Sequence, residues 1–234
     1  MTYPLTCVSG FWPVPNKHGN EYTTRWFQTT LKINCPYVFF CEKGDEEAIR
    51  VHRGDLPTVY VECAISSLRM YAHRLRMRTD AVHCPSAELN VIWNEKIFLI
   101  QKALELNPFR SEFFCWADAG LCTYRYEIPP TRPFPDRAKL DALPKDRLIY
   151  TSSNPYTESN GADMHLHHHV SGTYILHRSI VDRFATLYDE YVERLLDEKN
   201  IWTDQVMWTQ IYKDHPRLFF ELCPGYGALF KALY

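Results

Sequence analysis

The sequence has no surplus of either charge: 26 Lys and Arg stand against 28 Asp and Glu, a net of −2. Dominant binding to a phosphate backbone needs a strong basic excess, so no nucleic-acid partner is expected. Nor is there an apolar run of the about 20 residues that a membrane span requires. The best candidate, 91–106, is interrupted by Asn94, Glu95, Lys96, Gln101, Lys102 and Glu105. No basic region followed by an apolar stretch opens the chain, so no secretory leader is expected. The eight cysteines form no Cys-x-x-Cys pair, and several sit in or beside apolar runs. Buried free thiols and a cytoplasmic location are the expectation. Gly-x-Gly-x-x-Gly, Walker, Gly-x-Ser-x-Gly and His-Glu-x-x-His patterns are all missing. Their absence argues against dinucleotide, NTPase, serine-hydrolase and helix-borne zinc chemistry.

Aromatic residues, by contrast, are plentiful: 15 Tyr, 13 Phe and 6 Trp in 234 residues. Such content suits a deep core and a ring-stacking site for a sugar or base. The length fits one domain. Short apolar runs at 5–11, 37–41, 58–62, 113–116, 148–152 and 170–176 read as strands. Helical spacing occupies 22–33, 91–106, 180–196 and 204–212, and Asp45-Glu46-Glu47 opens a further helix with acids at its positive end. This alternation implies a single α/β domain, 1–234, with a mostly parallel central sheet covered by helices. Ligands in such sheets bind beyond the carboxyl ends of the strands. Ser9-Gly10 and Asp118-Ala119-Gly120 stand there.

A carboxylate such as Asp118, followed by small residues, offers an oxygen ligand to a hard cation and equally makes an ordinary turn. Trp93, Lys96 and Ile100 share one side of the helix before it, which turns Lys96 toward the same strand ends. A solvated lysine covering apolar surface is the favoured reading of Lys96 by itself. His165, His167 and His169 fall at alternate positions, a geometry that can collect a metal, and His169 abuts Ser171-Gly172-Thr173. Thr203 is placed to cap a helix whose first turn holds Asp204 and Gln205. Arg69, Arg74, Arg76 and Arg78 read as a solvated helix face or a diphosphate contact.

In order along 6–226, the strings Val8-Ser9-Gly10-Phe11-Trp12, Trp26-Phe27, Trp93-Asn94-Glu95-Lys96, Asn107-Pro108-Phe109, Phe114-Cys115-Trp116-Ala117-Asp118-Ala119-Gly120 and His169-Val170-Ser171-Gly172-Thr173 resemble the HtrL/YibB family. That family looks like the GT-A class of nucleotide-sugar glycosyltransferases. The resemblance implies a nucleotide-binding part over about 1–125 and an acceptor-side part over about 145–234. It implies a UDP- or GDP-sugar donor, a glycan or small hydroxyl acceptor, and Mn²⁺ or Mg²⁺ as cofactor. By residue, it implies nucleotide-sugar contacts from Cys7, Val8, Ser9, Gly10, Trp93, Lys96, Asp118, Ala119 and Gly120. Ser171, Gly172, Thr173, Asp204 and Gln205 would meet the sugar and acceptor, with Asp204 the catalytic base and Asp118 and His169 the metal ligands. One departure is plain: Trp116 stands where the first carboxylate of the metal-binding Asp-x-Asp pair would be. A metal-dependent hydrolase built on the 165–169 histidines and a non-catalytic binding protein on a transferase scaffold are the alternatives.

Overall fold

The apolar runs become the strands of one sheet. The computed structural model describes residues 2–157, 168–198 and 201–234. Its strands are β1 (Leu5–Phe11), β2 (Tyr37–Cys41), β3 (Thr58–Glu62), β4 (Phe113–Trp116), β5 (Leu148–Ser152), β6 (Val170–His177) and β7 (Phe219–Pro224). They lie in the order β3-β2-β1-β4-β6-β5-β7. β1 is parallel to β2 and β4, β2 to β3, and β5 to β7. β6 alone runs antiparallel to its neighbours β4 and β5. The sheet is therefore mostly parallel, as the alternation implied, with one reversed strand.

Continuous apolar sequence goes with burial on both faces: β2, β4, β5 and β6 are buried along their whole length. Alternate residues feed two cores. Val8, Val38, Phe40, Phe114 and Trp116 point to one; Cys7, Tyr37, Phe39, Phe113 and Cys115 point to the other. The helices are α1 (Phe27–Thr30), α2 (Glu46–Arg53), α3 (Ala87–Leu106), α4 (Arg137–Asp141), α5 (Val181–Glu198), α6 (Asp204–Asp214) and α7 (Leu229–Leu233). α3, α5 and α6 supply Val91, Phe98, Phe184, Tyr188, Met207 and Trp208 to the first core. All eight cysteines are free thiols, six of them buried.

Two segments differ most from the sequence reading. α3 begins four residues earlier, because the Ser86 hydroxyl accepts from the Leu89 amide and caps it. The 22–33 segment is a wide helical turn, Tyr22–Trp26, leading into the short α1. The basic run is largely a solvated face, with Arg69 and Arg76 exposed; Arg69 and Arg74 pair there with Asp189 and Glu88, and Arg78 lies over the Trp202 ring.

This topology fixes where a site can form. The chain leaves β1 toward β2 and β3, then returns to place β4 on β1's other flank, a switch point whose crevice opens beyond the carboxyl ends of β1 and β4. Because β6 is reversed, its first residues share that edge. Cys115 pairs with Ile175, so Gly172 lies beyond the end of β4, on the side of Asp118.

Candidate functional site

A cavity of about 420 Å³ opens at this edge, within the range of roughly 300–1,000 Å³ usual for small-molecule sites. Lys96, Asp118 and Asp204 lie in its wall. Lys96 comes from the middle of α3 and is 4% exposed. Its Nζ stands 2.9 Å from Asp204 Oδ2, 3.3 Å from Asp118 Oδ1 and 3.3 Å from the carbonyl oxygen of Gly172. A buried ammonium has three protons to satisfy; Lys96 donates one to the Gly172 carbonyl and forms ion pairs with the two carboxylates. Burial alone would lower the Lys96 pKa, but the Asp118 and Asp204 carboxylates outweigh it and hold the group charged. For Asp204 burial prevails over the lysine, and the Asp118 charge adds to it, so its carboxyl lies above the usual carboxylate range.

The residues around Lys96 explain how α3 carries such a group. Asn94, Glu95 and Lys96 are consecutive, all buried, and each has its own partner. Asn94 donates to the Trp202 carbonyl at 2.9 Å and accepts from the Tyr188 hydroxyl at 2.7 Å. Asn90, one turn earlier, donates to the carbonyls of Arg78 and Ile201. These two asparagines tie α3 to the segment just before α6 and so set the position of Asp204. Glu95 accepts from the backbone amides of Arg69 and Met70 at 3.0 and 2.8 Å.

Asp118 is held by the residue that departs from the two-carboxylate pattern. The Trp116 indole Nε1 donates to Asp118 Oδ1 at 2.7 Å, and Lys96 Nζ lies 5.7 Å from the Trp116 ring centroid. The Asp118 side chain keeps 35% of its surface open. Gly172 is needed for space: a Cβ there would meet Asp204 Oδ2 and Lys96 Nζ at 3.0 Å each. Gly120 packs under Tyr22 and Trp26 in the same way, and Gly10 under Trp12.

Lys17 and Arg125 add positive charge to the cavity wall. Arg125 is fixed over the Trp26 ring and donates to the Gly120 carbonyl. Counting side chains with neutral histidines, three cations (Lys17, Lys96, Arg125) face two carboxylates (Asp118, Asp204). Ser153 and Thr203 also line the cavity, and their hydroxyls have no partner among the described residues. A smaller slot of about 50 Å³ adjoins it, walled by Trp12, Tyr22, Trp93 and Trp116 and floored by Gly10 and Ala119.

Of the residues singled out from sequence, Trp93, Lys96, Asp118, Asp204 and Gln205 line the cavity, and Gly172 touches Lys96 from beneath. Gly10 and Ala119 reach the aromatic slot, while Gly120 lies behind Tyr22. The side chains of Cys7 and Val8 are wholly buried in opposite cores and do not line the cavity. Ser9 is equally buried, and its hydroxyl has no partner among the described residues. Ser171 and Thr173 are buried in β6, where the Ser171 hydroxyl donates to the Thr173 carbonyl. Thr203 occupies the start of α6 without a capping bond from its side chain.

His169 is corrected as a metal ligand. Its Nδ1 donates to the Asn154 carbonyl, and its Nε2 accepts from the Tyr150 hydroxyl, both at 2.7 Å. Neither nitrogen keeps a lone pair for a cation, and the ring packs against Tyr156 and Tyr212. His165 and His167 lie outside the described residues. Among the described residues no three His, Cys, Asp or Glu side chains gather as a metal would need. The carboxylates that remain, Asp118 and Asp204, already share an ammonium. The described side chains do not fit the divalent cation that the resemblance implied.

Fold and site together define a mixed α/β protein with a cavity that opens at the switch point of its sheet. More particularly, the chain belongs to the HtrL/YibB family: residues 66–233 match the family model described as "Bacterial protein of unknown function (HtrL_YibB)". No curated protein matches the chain. Among the described residues no helix is long and apolar enough to cross a membrane.

Proposed function

We propose that this protein is a glycosyltransferase of the GT-A kind, moving a sugar from a nucleotide-diphosphate sugar, UDP- or GDP-linked, to a hydroxyl acceptor such as a glycan. The observation that carries this reading is the Lys96–Asp118–Asp204 cluster in the wall of a cavity at the sheet's switch point. The adjoining aromatic slot has the flat apolar walls that a base or sugar ring stacks on. Lys17 and Arg125 supply cationic donors for a diphosphate.

In the transfer, the bond from the sugar's anomeric carbon to the diphosphate oxygen breaks, and its electron pair leaves with the diphosphate. A new bond forms from that carbon to the acceptor oxygen. The acceptor's hydroxyl proton goes to the Asp204 carboxylate. A general base whose pKa has moved up toward working pH is the better proton acceptor, and such a group typically contributes about 10²–10⁴-fold. The upward shift that burial gives Asp204 is in that direction.

The hydrolase alternative depends on a histidine metal site, and His169 has both ring nitrogens engaged. The eight free thiols suit a reducing compartment, and we place the protein in the cytoplasm. The test is a panel of UDP- and GDP-sugars incubated with the chain, with and without a mixture of hydroxyl acceptors, followed by release of the nucleoside diphosphate. Release with at least one donor, increased by acceptor, is expected. Binding without any release would make this a binding protein, and neither binding nor release would refute the nucleotide-sugar reading.

A further inference from the structure

A hard cation at a diphosphate site wants carboxylate and carbonyl oxygens converging on one point. Here that convergence exists: Asp204 Oδ2, Asp118 Oδ1 and the Gly172 carbonyl all lie within 3.3 Å of a single atom. The atom is Lys96 Nζ. The lysine stem rises from the buried centre of a 20-residue helix, flanked by Asn94 and Glu95, which are bonded to other parts of the fold. It is not a surface lysine that can swing away to admit a metal.

A second, independent feature points the same way. The position where a second carboxylate would stand carries Trp116, and its indole N–H donates to the very oxygen of Asp118 that faces Lys96. Asp118 Oδ1 thus accepts the indole N–H on one side and pairs with the ammonium on the other. A cation placed there would displace both donors, leaving a buried indole N–H unpaired and an ammonium beside a divalent charge. Each of those changes is costly in a poorly solvated site.

Resting on the nucleotide-sugar reading, we infer that this site binds the diphosphate of its donor without a divalent cation, and that the Lys96 ammonium is the resident positive charge in the metal's place. Its two longer contacts, to Asp118 and to the Gly172 carbonyl, are the ones a phosphate oxygen exchanges for. The Asp204 contact holds the group in position. Lys17 and Arg125 complete the charge, so that three cations face the two carboxylates and an incoming anion. Gly172 belongs to the same device, since any side chain there would press on the ammonium and on Asp204.

The experiment is calorimetric titration of UDP, GDP and inorganic pyrophosphate into the full chain, in EDTA and then in Mn²⁺. Electron paramagnetic resonance of free Mn²⁺ in the presence of the chain is run beside it. The expected result is a nucleotide dissociation constant that changes by less than about threefold between the two conditions, and a Mn²⁺ signal that the chain does not diminish. Lys96→Arg keeps the charge and retains binding in EDTA within about tenfold. Lys96→Met loses it. Because Lys96→Met also removes a buried ion-pair partner, the comparison on the unaltered chain decides the matter if that variant does not fold. Binding that tightens by about tenfold or more with Mn²⁺ would overturn the inference while leaving a nucleotide site standing. Failure of UDP, GDP and pyrophosphate to bind under either condition would overturn the nucleotide reading and this inference with it.

Discussion

Replacing Lys96 by Met tests the ion cluster through stability, independently of any ligand. Methionine matches the lysine stem in length and flexibility, so packing against α3's neighbours is largely kept. The variant loses the charge that Asp204, 3% exposed, now has within 2.9 Å. Removing one partner of a buried pair costs about 3–5 kcal/mol, because the other charge is left unpaired in a poorly solvated place. Asp118 adds little, since its side chain keeps about a third of its surface in the cavity. For a chain of this size each kcal/mol moves the melting temperature by about 2–4 °C, so a fall of about 6–20 °C is expected. The decisive arm is Asp204→Asn in the same chain. If the cost comes from the stranded carboxylate, the double variant regains most of it, and the cycle gives a coupling of about 2–3 kcal/mol. Urea denaturation followed by tryptophan fluorescence reads all four corners. A Lys96→Met chain within about 1 kcal/mol of the parent would refute the buried pair. So would equal losses for the single and double variants.

Asp118→Asn keeps an oxygen for the Trp116 indole and leaves Lys96 its Asp204 partner. Stability should change by no more than about 1 kcal/mol; with the carboxylate that a phosphate oxygen exchanges for neutralised, UDP binding in EDTA should hold or tighten, and a loss of about tenfold or more would show that the Asp118 charge itself holds the donor. Gly172→Ala places a Cβ 3.0 Å from both Lys96 Nζ and Asp204 Oδ2, and overpacking of this kind typically costs about 1–3 kcal/mol; an unchanged urea midpoint would show that the pair is held more loosely. Burial, partly offset by the amides of Met70 and Arg69, raises the Glu95 carboxyl from 4.5 to about 7. The folded chain thus holds this proton more tightly than the unfolded one, so its contribution to stability is full below about pH 4.5 and lost as pH rises through about 7. Glu95→Gln removes that loss, and the stability of the variant relative to the parent should climb by up to about 1.4 kcal/mol per pH unit across that window. A difference that stays flat with pH would place the Glu95 carboxyl in its ordinary range.

The fold was legible where burial was complete. Runs such as Tyr37-Val38-Phe39-Phe40-Cys41 and Phe113-Phe114-Cys115-Trp116 have no polar residue to blur the signal, and each became a strand at the bounds read from sequence. β7 escaped notice because it lies at the sheet's edge, where Phe219–Pro224 mixes buried, half-buried and exposed positions directly after a proline-led turn. The reversed direction of β6 was also out of reach, since apolar continuity reports burial and carries no strand polarity. At the site, strand-end reasoning found Asp118, and helical register found the side of α3 that Lys96 shares with Trp93. The depth of Lys96 was not legible, because a lysine between Glu and Ile reads as solvated unless its distant partners are known. Asp204 lies 108 residues further along the chain. Arg53 repeats the lesson away from the site. It stands in a charged helix, yet it is buried and donates to the carbonyls of Leu31, Ile33 and Cys35.

Stability gives no reason for the cluster to exist. Replacing a buried ion pair by apolar side chains of similar volume is often neutral or stabilising by about 1–4 kcal/mol, and the core on that side already offers Val91, Ile97 and Ile100 as neighbours along α3. Instead, several parts of the fold are arranged to keep an ammonium at one point. Asn90 and Asn94 hold the segment that carries Asp204, Trp116 fixes Asp118, and position 172 goes without a side chain. A structural salt bridge would be sealed once made. This one forms part of a cavity wall, with Asp118 still open to it and, beside Asp204, the Thr203 hydroxyl, which has no partner among the described residues. Charges held rigid and left facing open space stabilise whatever charge enters that space, because the polar groups need no reorganisation when it arrives. That is the physical ground for reading Lys96 as part of an anion-handling site in preference to a strut of the core.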